Sequence, residues 1–306
     1  MLAEQRMPVH RSSFECAWRH AWDRTSEASG GPAQPGDDSV SPTTSTPAHD
    51  TLANLSRLLP DLQTLYMDIH AHPELSMQEN RTAGIAADRL RAAGYDVTTG
   101  VGKTGVVGLL RNGDGPTVML RADMDALPVQ EATGLPYASK EMTTDRNGIT
   151  VPIMHACGHD MHVSWLVGAI TLLAQARAAW KGTLIVVFQP AEETAEGARA
   201  MIDDGLLTRF PKPDVVLGQH VMPAPAGILG ARAGVVTSAG DSLQIRLFGR
   251  GAHGSMPQAS IDPVVMAAAT VMRLQTIVSR EVAATDDVVV TIGALQAGTK
   301  ENVIPD

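Results

Sequence analysis

"GTLIVVFQPAEE", residues 182–193, decides the architecture. Leu184 to Phe188 are apolar without a break, so a strand here has both faces buried, as at the centre of an α/β sheet. Glu192 and Glu193 follow at once. Adjacent carboxylates are ordinarily a solvated loop, but at the end of a buried strand they stand at the edge of the sheet. Their side chains point in different directions, so one can ligate a cation while the other faces a water as general base.

The neighbouring segments extend the pattern. Upstream, "VSWLVGAITLLAQARAAW" (163–180) predicts a buried helix, preceded by the strand-like "GITVPIM" (148–154). Downstream, "EGARAMIDDGLL" (196–207) is helical and "DVVLGQH" (214–220) is another buried strand. Further back lie β-rich runs at "YDVTT", "TGVVGLL" and "TVMLRADMDAL". Before them come two helical patterns, "LANLSRLLPDLQTLYMDIHAHPE" and "QENRTAGIAADRLRAAGY", the second ending at Gly94 as helices often do. Strands alternating with helices imply an α/β fold with a substantially parallel sheet over residues 51–233.

From Gly234 the pattern changes. "DSLQIRLFGRG" alternates like a half-exposed strand, "DPVVMAAATVMRLQTIVSR" is an amphipathic helix, and "DDVVVTIGAL" is a strand. That order predicts a smaller α+β domain over 234–306, thin for a two-layer unit. Residues 1–50 are expected to be a disordered extension, since "SEASGGPAQPGDDSVSPTTSTPAHD" (26–50) has almost nothing to bury.

Bulk properties exclude several classes. A net charge of −9 over 306 residues, with no basic stripe, argues against nucleic acid as a partner. No apolar run has the roughly 18 residues of a membrane span, and the N-terminus lacks the apolar core of a secretory signal. Two distant cysteines, Cys16 and Cys157, exclude a disulfide framework. The cytoplasm is the simplest compartment.

Chemistry-bearing residues gather at the expected strand ends. "HACGHDMH" (155–162) places three histidines, a cysteine and an aspartate in eight positions. Cys157 and His159 can bind one cation or straddle a pair, although Cys–Gly–His is not by itself a closed zinc pattern. The competing reading is a helix N-terminus whose donors are satisfied by Asp160 or His155. His220 ends another apolar strand. Asp123 and Asp125 end a fourth, where a carboxylate can ligate a metal, hold a ligand histidine in one tautomer, or simply form a turn before Pro128.

"RADMDALP", "MHACGHDMH", "FQPAEE", "GQHVMP", "GRGAHGSMP" and "ENVIPD", in this order, resemble the metal-dependent amidohydrolases that include hippurate hydrolase. Indole-acetyl-amino-acid hydrolases and N-acetyl-diaminopimelate deacetylases share the pattern, and the wider group contains aminoacylase and carboxypeptidase G. The resemblance implies a two-metal, aminopeptidase-like α/β catalytic domain and a lid domain that also forms a homodimer. It implies hydrolysis of the amide bond of N-acyl amino acids. Cys157, His159, Glu193 and His220 would be metal ligands, Cys157 in a bridging place that an aspartate holds in the wider group. Glu192 would be the general base, and Asp123 would support the metal site. His253 would polarise the scissile carbonyl from a neighbouring subunit, and Asn302 would contact substrate. Zinc suits the thiolate, and mixed N/O/S ligation admits manganese, cobalt or nickel. The family's remaining ligand histidine lies beyond the position where this chain ends, so a fragment or truncated product with weak metal binding is expected. Two other readings stand beside the enzyme: an inactive remnant or dimerising binding protein, and a thiol redox protein on Cys157, which lacks a CxxC motif.

Overall fold

The computed structural model describes residues 46–236 and 239–306; the expected extension, as far as residue 45, lies outside them. The chain forms two compact units, one running to Ile228 and the other from Leu229 to Asp306.

In the first unit, helices α1 (Pro47–Leu52), α2 (Leu55–Ala71) and α3 (Asn80–Ala92) precede strands β1 (Asp96–Val101), β2 (Gly105–Asn112) and β3 (Thr117–Asp123). A small ribbon of β4 (Met142–Thr144) and β5 (Thr150–Pro152) leads into α4 (His159–Gln175). Then come β6 (Gly182–Gln189), α5 (Gly197–Asp203), α6 (Leu206–Arg209) and β7 (Val215–Gly218). Gly94, at φ 81°, closes α3: its N–H and that of Tyr95 return to Arg91 and Leu90 carbonyls.

The five-stranded sheet has the order β1-β2-β6-β3-β7, with β6 in the middle. Val186 and Phe188 of β6 pack on one side against α2, α3 and α4, through Ile69, Leu90 and Val167 among others. Ile185 and Val187 pack on the other side with Met201 and Leu206. The unbroken apolar run is therefore buried on both faces, each large side chain contributing roughly 1.5–3 kcal/mol of burial free energy. The sheet is mixed. β3 pairs in parallel with β6 and β7, while β2 pairs antiparallel with β1 and β6. The parallel half does the positioning. Asp123 stands opposite Gln189 and Arg121 opposite Gly218, so β3, β6 and β7 all end at one edge. There the chain continues into Met124–Asp125, Pro190–Glu193 and Gln219–His220, the general site of ligands in α/β sheets.

Among the described residues the second unit has one two-stranded sheet, β8 (Ala252–His253) with β9 (Val303–Ile304), and helix α7 (Pro263–Thr276). Asp262 caps α7 by accepting from Val264 and Val265 amides at 2.9 and 3.3 Å. The strands expected over 241–251 and 286–295 do not form: the first range has only an isolated bridge between Arg250 and Ile261, with β8 beginning just after it, and 286–295 carries no strand. Apart from that bridge the two segments have no ladder partner among the described residues, and Leu243, Phe248 and Val289 are exposed. No helix among the described residues is long and apolar enough to cross a membrane.

Candidate metal centre

Three side chains reach the sheet edge: Cys157 from the loop before α4, His159 from its first residue and His220 from the segment after β7. Gly158, at φ 81°, turns the chain into α4, and a Cβ there would lie 2.4 Å from Val221 Cγ1. This close approach brings Cys157 Sγ within 3.4 Å of His220 Nε2. One ligand atom each from Cys157, His159 and His220 falls within 4.8 Å of the others, as do those of His159, Glu192 and Glu193.

The histidine tautomers follow from their partners. His159 Nδ1 donates to the Asp125 carbonyl at 2.8 Å, leaving the Nε2 lone pair free. That nitrogen is buried and has no hydrogen-bond partner, and neither has Glu193 Oε1, 3.8 Å away. Asp123 Oδ2 and Glu192 Oε2 lie 3.7 and 3.9 Å from the same nitrogen. His220 likewise donates from Nδ1, to the Val221 carbonyl at 2.7 Å, and keeps Nε2 as a lone pair beside the thiol.

His162 behaves differently, although Asp123, His159 and His162 also cluster within 4.8 Å. Its Nε2 accepts the Val221 N–H at 2.9 Å, so the proton must sit on Nδ1, which donates to Asp123 Oδ1 at 2.6 Å. Asp123 Oδ2 accepts from the Arg121 guanidinium at 2.5 Å. Both partners are saturated, so this triad offers no free donor pair; it ties β3 and the segment after β7 to α4. Sequence reasoning did not single out His162. The i, i+3 spacing with His159 was the available signal, since it puts both rings on one helix face.

Asp125 is the hub beneath the carboxylates. Oδ1 accepts the Glu192 amide at 3.0 Å; Oδ2 accepts the Glu193 amide at 3.0 Å and the Ser76 hydroxyl at 2.6 Å. Of the readings left open for Asp125, the structure displays a carboxylate bound to the loop and a carbonyl that fixes the His159 tautomer. In the opening motif, Asp160 Oδ1 accepts its neighbour's amide and Oδ2 meets His70, while buried His155 has neither ring nitrogen bonded.

The electrostatics expose a deficit of positive charge. Burial, then the charges of Glu193, Glu192 and Asp123, push the Cys157 thiol up to about 12. Burial also raises Glu193, with Glu192 and Asp125 adding to it. Burial opposes a charged His159, yet the Asp125 hydrogen bond and the surrounding carboxylates carry it up to about 9. A field that holds a proton so firmly favours any cation in that position. Around a divalent ion the same residues reverse their behaviour, and the thiol ionises outright. Orphaned Nε2 and Oε1 atoms, a second Nε2 whose one partner is the thiol, that thiol and adjacent carboxylates form an N/O/S donor set that fits such an ion.

His253 and Asn302 belong to the second unit and meet there. The Gly254 amide donates to the Asn302 carbonyl at 2.9 Å, and His253 Nδ1 lies 2.8 Å from Ser255 Oγ. Both side chains are exposed.

The sequence profile of peptidase family M20/M25/M40 matches residues 119–300, more than half of the chain. The chain belongs to this family of peptidases and amidohydrolases. It is 43% identical over 248 residues to the hippurate hydrolase of Campylobacter jejuni, covering 80% of this chain and 62% of that protein. It is 39% identical over 255 residues to the N-acetyl-L-cysteine deacetylase of Bacillus subtilis, covering 83% and 58%. The crystal structure of a protein assigned as an aminohydrolase, from methicillin-resistant Staphylococcus aureus, aligns with a TM-score of 0.62 at 32% identity, over 83% of this chain and 66% of that one. The chain thus spans about 60% of the length of these curated relatives.

Proposed function

We propose that this chain carries the active site of a metal-dependent hydrolase for the amide bond of N-acyl amino acids. One observation supports this above the others: His159 Nε2, buried and unpartnered, faces the Glu192–Glu193 pair beside a Cys157–His220 contact. Cys157, His159, Glu193 and His220 would hold two divalent ions, zinc or manganese foremost. Bound there, the ions would polarise the amide carbonyl and acidify a water.

The protein's own part is positional and protolytic. Glu192, whose side chain is 41% exposed against 16% for Glu193, is the freer carboxylate. It takes the proton of the attacking water and passes it to the leaving amine. Glu193, with an orphaned oxygen, is the ligand. Asp125 fixes both glutamates by their amides and His159 by its ring. His162 holds Asp123 and Val221, and through Val221 the orientation of His220. His253 is assigned to the scissile carbonyl and Asn302 to substrate contact, in a homodimer formed through the second unit; the ordered motifs shared with the family support this part.

The test uses the full chain loaded with zinc or manganese and assayed on hippurate and N-acetyl amino acids with and without chelator. Glu192→Gln should lower kcat about 10²–10⁴-fold with bound metal retained. Glu193→Gln should lose metal. Metal loss in the Glu192 variant instead would reverse the two assignments, and chelator-insensitive turnover would refute the metal mechanism.

A further inference from the structure

We propose that Glu79, in the turn before α3, is a positioning residue for the carboxylate loop of residues 190–193. This rests on the function proposed above and extends it to a residue far from the donor cluster in sequence. Glu79 is fully buried. Oε1 accepts two backbone amides, Met77 at 2.9 Å and Ala191 at 2.8 Å. Oε2 accepts the Thr104 hydroxyl at 2.5 Å.

Both amides belong to strained residues. Met77 and Ala191 have φ of 64° and 46°, left-handed values that a side chain disfavours unless the surroundings impose them. Ala191 immediately precedes Glu192. Its carbonyl accepts from Glu196 and Gly197 amides at 3.2 and 3.0 Å, so the two peptide units flanking its Cα are both held. With the Asp125 contacts added, three consecutive amides, 191 to 193, all donate to buried carboxylates from elsewhere in the fold. Asp125 sets the pair's own peptides, and Glu79 sets the bend that aims them.

Burial raises the Glu79 carboxyl, and Thr104 with the two amides works against that rise. Every partner can donate, so the ionised form suits the pocket. Geometry, more than charge, is the role. In Glu79→Gln the amide oxygen can keep both N–H groups while its NH2 donates to the Thr104 hydroxyl, which also accepts.

Hydrogen exchange on the metal-free protein tests this, followed by steady-state kinetics on the loaded one. Glu79→Ala should speed exchange about tenfold or more in peptides covering 190–197, with β6 and α4 unchanged. It should lower kcat about 10–100-fold per folded molecule at nearly constant KM, as a misplaced base does. Glu79→Gln should restore both. If the alanine variant does not fold, Glu79→Asp keeps the charge but is one methylene short, and it should give a smaller rise confined to the same loop. Loop exchange unchanged, exchange raised evenly throughout, or a glutamine variant as damaged as alanine would overturn the assignment. Should the wild type hydrolyse no N-acyl amino acid, the functional proposal fails, while the exchange experiment still decides what Glu79 holds.

Discussion

His162 uses both ring nitrogens in structural bonds, between Asp123 and the Val221 amide, whereas His159 and His220 each spend Nδ1 on a carbonyl and keep Nε2. Three histidines within one cluster therefore divide into a strut and two open donors, and the division follows from what the second nitrogen meets. Replacing the strut leaves a buried carboxylate and a half-buried amide each short of a partner. His162→Phe should cost about 3 kcal/mol in denaturant unfolding, near the upper end for such losses. It should also weaken metal binding by displacing Val221 and with it His220, whereas a stability loss without change in metal affinity would restrict the strut to folding. This distinction was not legible in "HACGHDMH", because hydrogen-bond saturation is a tertiary property. What sequence showed was that glutamates follow a buried strand and that His220 follows another strand. That second strand, expected to be buried, is exposed along its length because β7 is the outermost strand of the sheet, with β3 alone beside it among the described residues. Nor did sequence show that Asp125 would take up the glutamates' amides, because two aspartates two positions apart would share one face of a continued strand, and only the end of β3 at Asp123 gives them different surroundings.

The elements differ in how plainly they announce themselves. β6 was legible since its apolar run has one explanation, burial on both faces, and its partners Leu90, Val167 and Met201 supply that burial. The segments at 241–251 and 286–295 form no strands because alternation in the first and β-branched residues in the second say how a strand would sit, not whether a ladder partner exists. Helix α4 illustrates how an element is fixed by polar groups. Asp160 in its first turn bonds His70 Nδ1 at 2.6 Å, and His70 Nε2 meets Glu131 at 3.1 Å, so α2, α4 and the loop after Pro128 are joined by one buried imidazole. The rings of Tyr66 and Tyr137 pack against it at 5.7 and 5.3 Å. Burial works against a charged His70, but the hydrogen bonds and charges of Asp160 and Glu131 outweigh it and raise it above 6.5. A raised histidine contributes stability that is complete below its unfolded value of 6.5 and is lost as pH climbs through the folded one. The unfolding free energy of wild type minus His70→Gln should therefore be greatest below pH 6.5, at about 3 kcal/mol for a broken buried pair. It should shrink at alkaline pH. A difference that is flat across this range would mean that His70 does not change its charge. Gly197, which opens α5, is the other sensitive joint: a Cβ there would lie 1.6 Å from the Pro190 carbonyl oxygen, which is backbone and cannot swing aside. Gly197→Ala should displace the loop that carries Glu192 and Glu193, with a cost above about 2 kcal/mol and a fall in metal content per folded molecule.

For the molecule as a whole, the proposed donors all lie in the first unit and the proposed carbonyl-polarising histidine lies in the second. Metal binding and turnover are therefore separable properties of one chain. No tryptophan occurs between residues 229 and 306, whereas Trp165 and Trp180 belong to the first unit, so with Trp18 and Trp22 replaced by phenylalanine the tryptophan emission follows the unit with the donors. A ligand that binds only the folded state adds about 2.7 kcal/mol at a hundredfold excess over its dissociation constant. Chelation should accordingly lower the emission-monitored unfolding midpoint and leave hydrogen exchange in α7 unchanged. His253→Ala should show the reverse dependence. Its midpoint and the chelator shift should match wild type, while kcat falls about 10²–10³-fold through the loss of one donor to the developing oxyanion. If His253→Ala abolished the chelator shift, His253 would have to be a ligand, and the donor set drawn from Cys157, His159, Glu193 and His220 would need to be redrawn around it. If the shift survived and turnover did too, the second unit would have no part in the chemistry, and the carbonyl would have to be polarised from within the sheet edge alone.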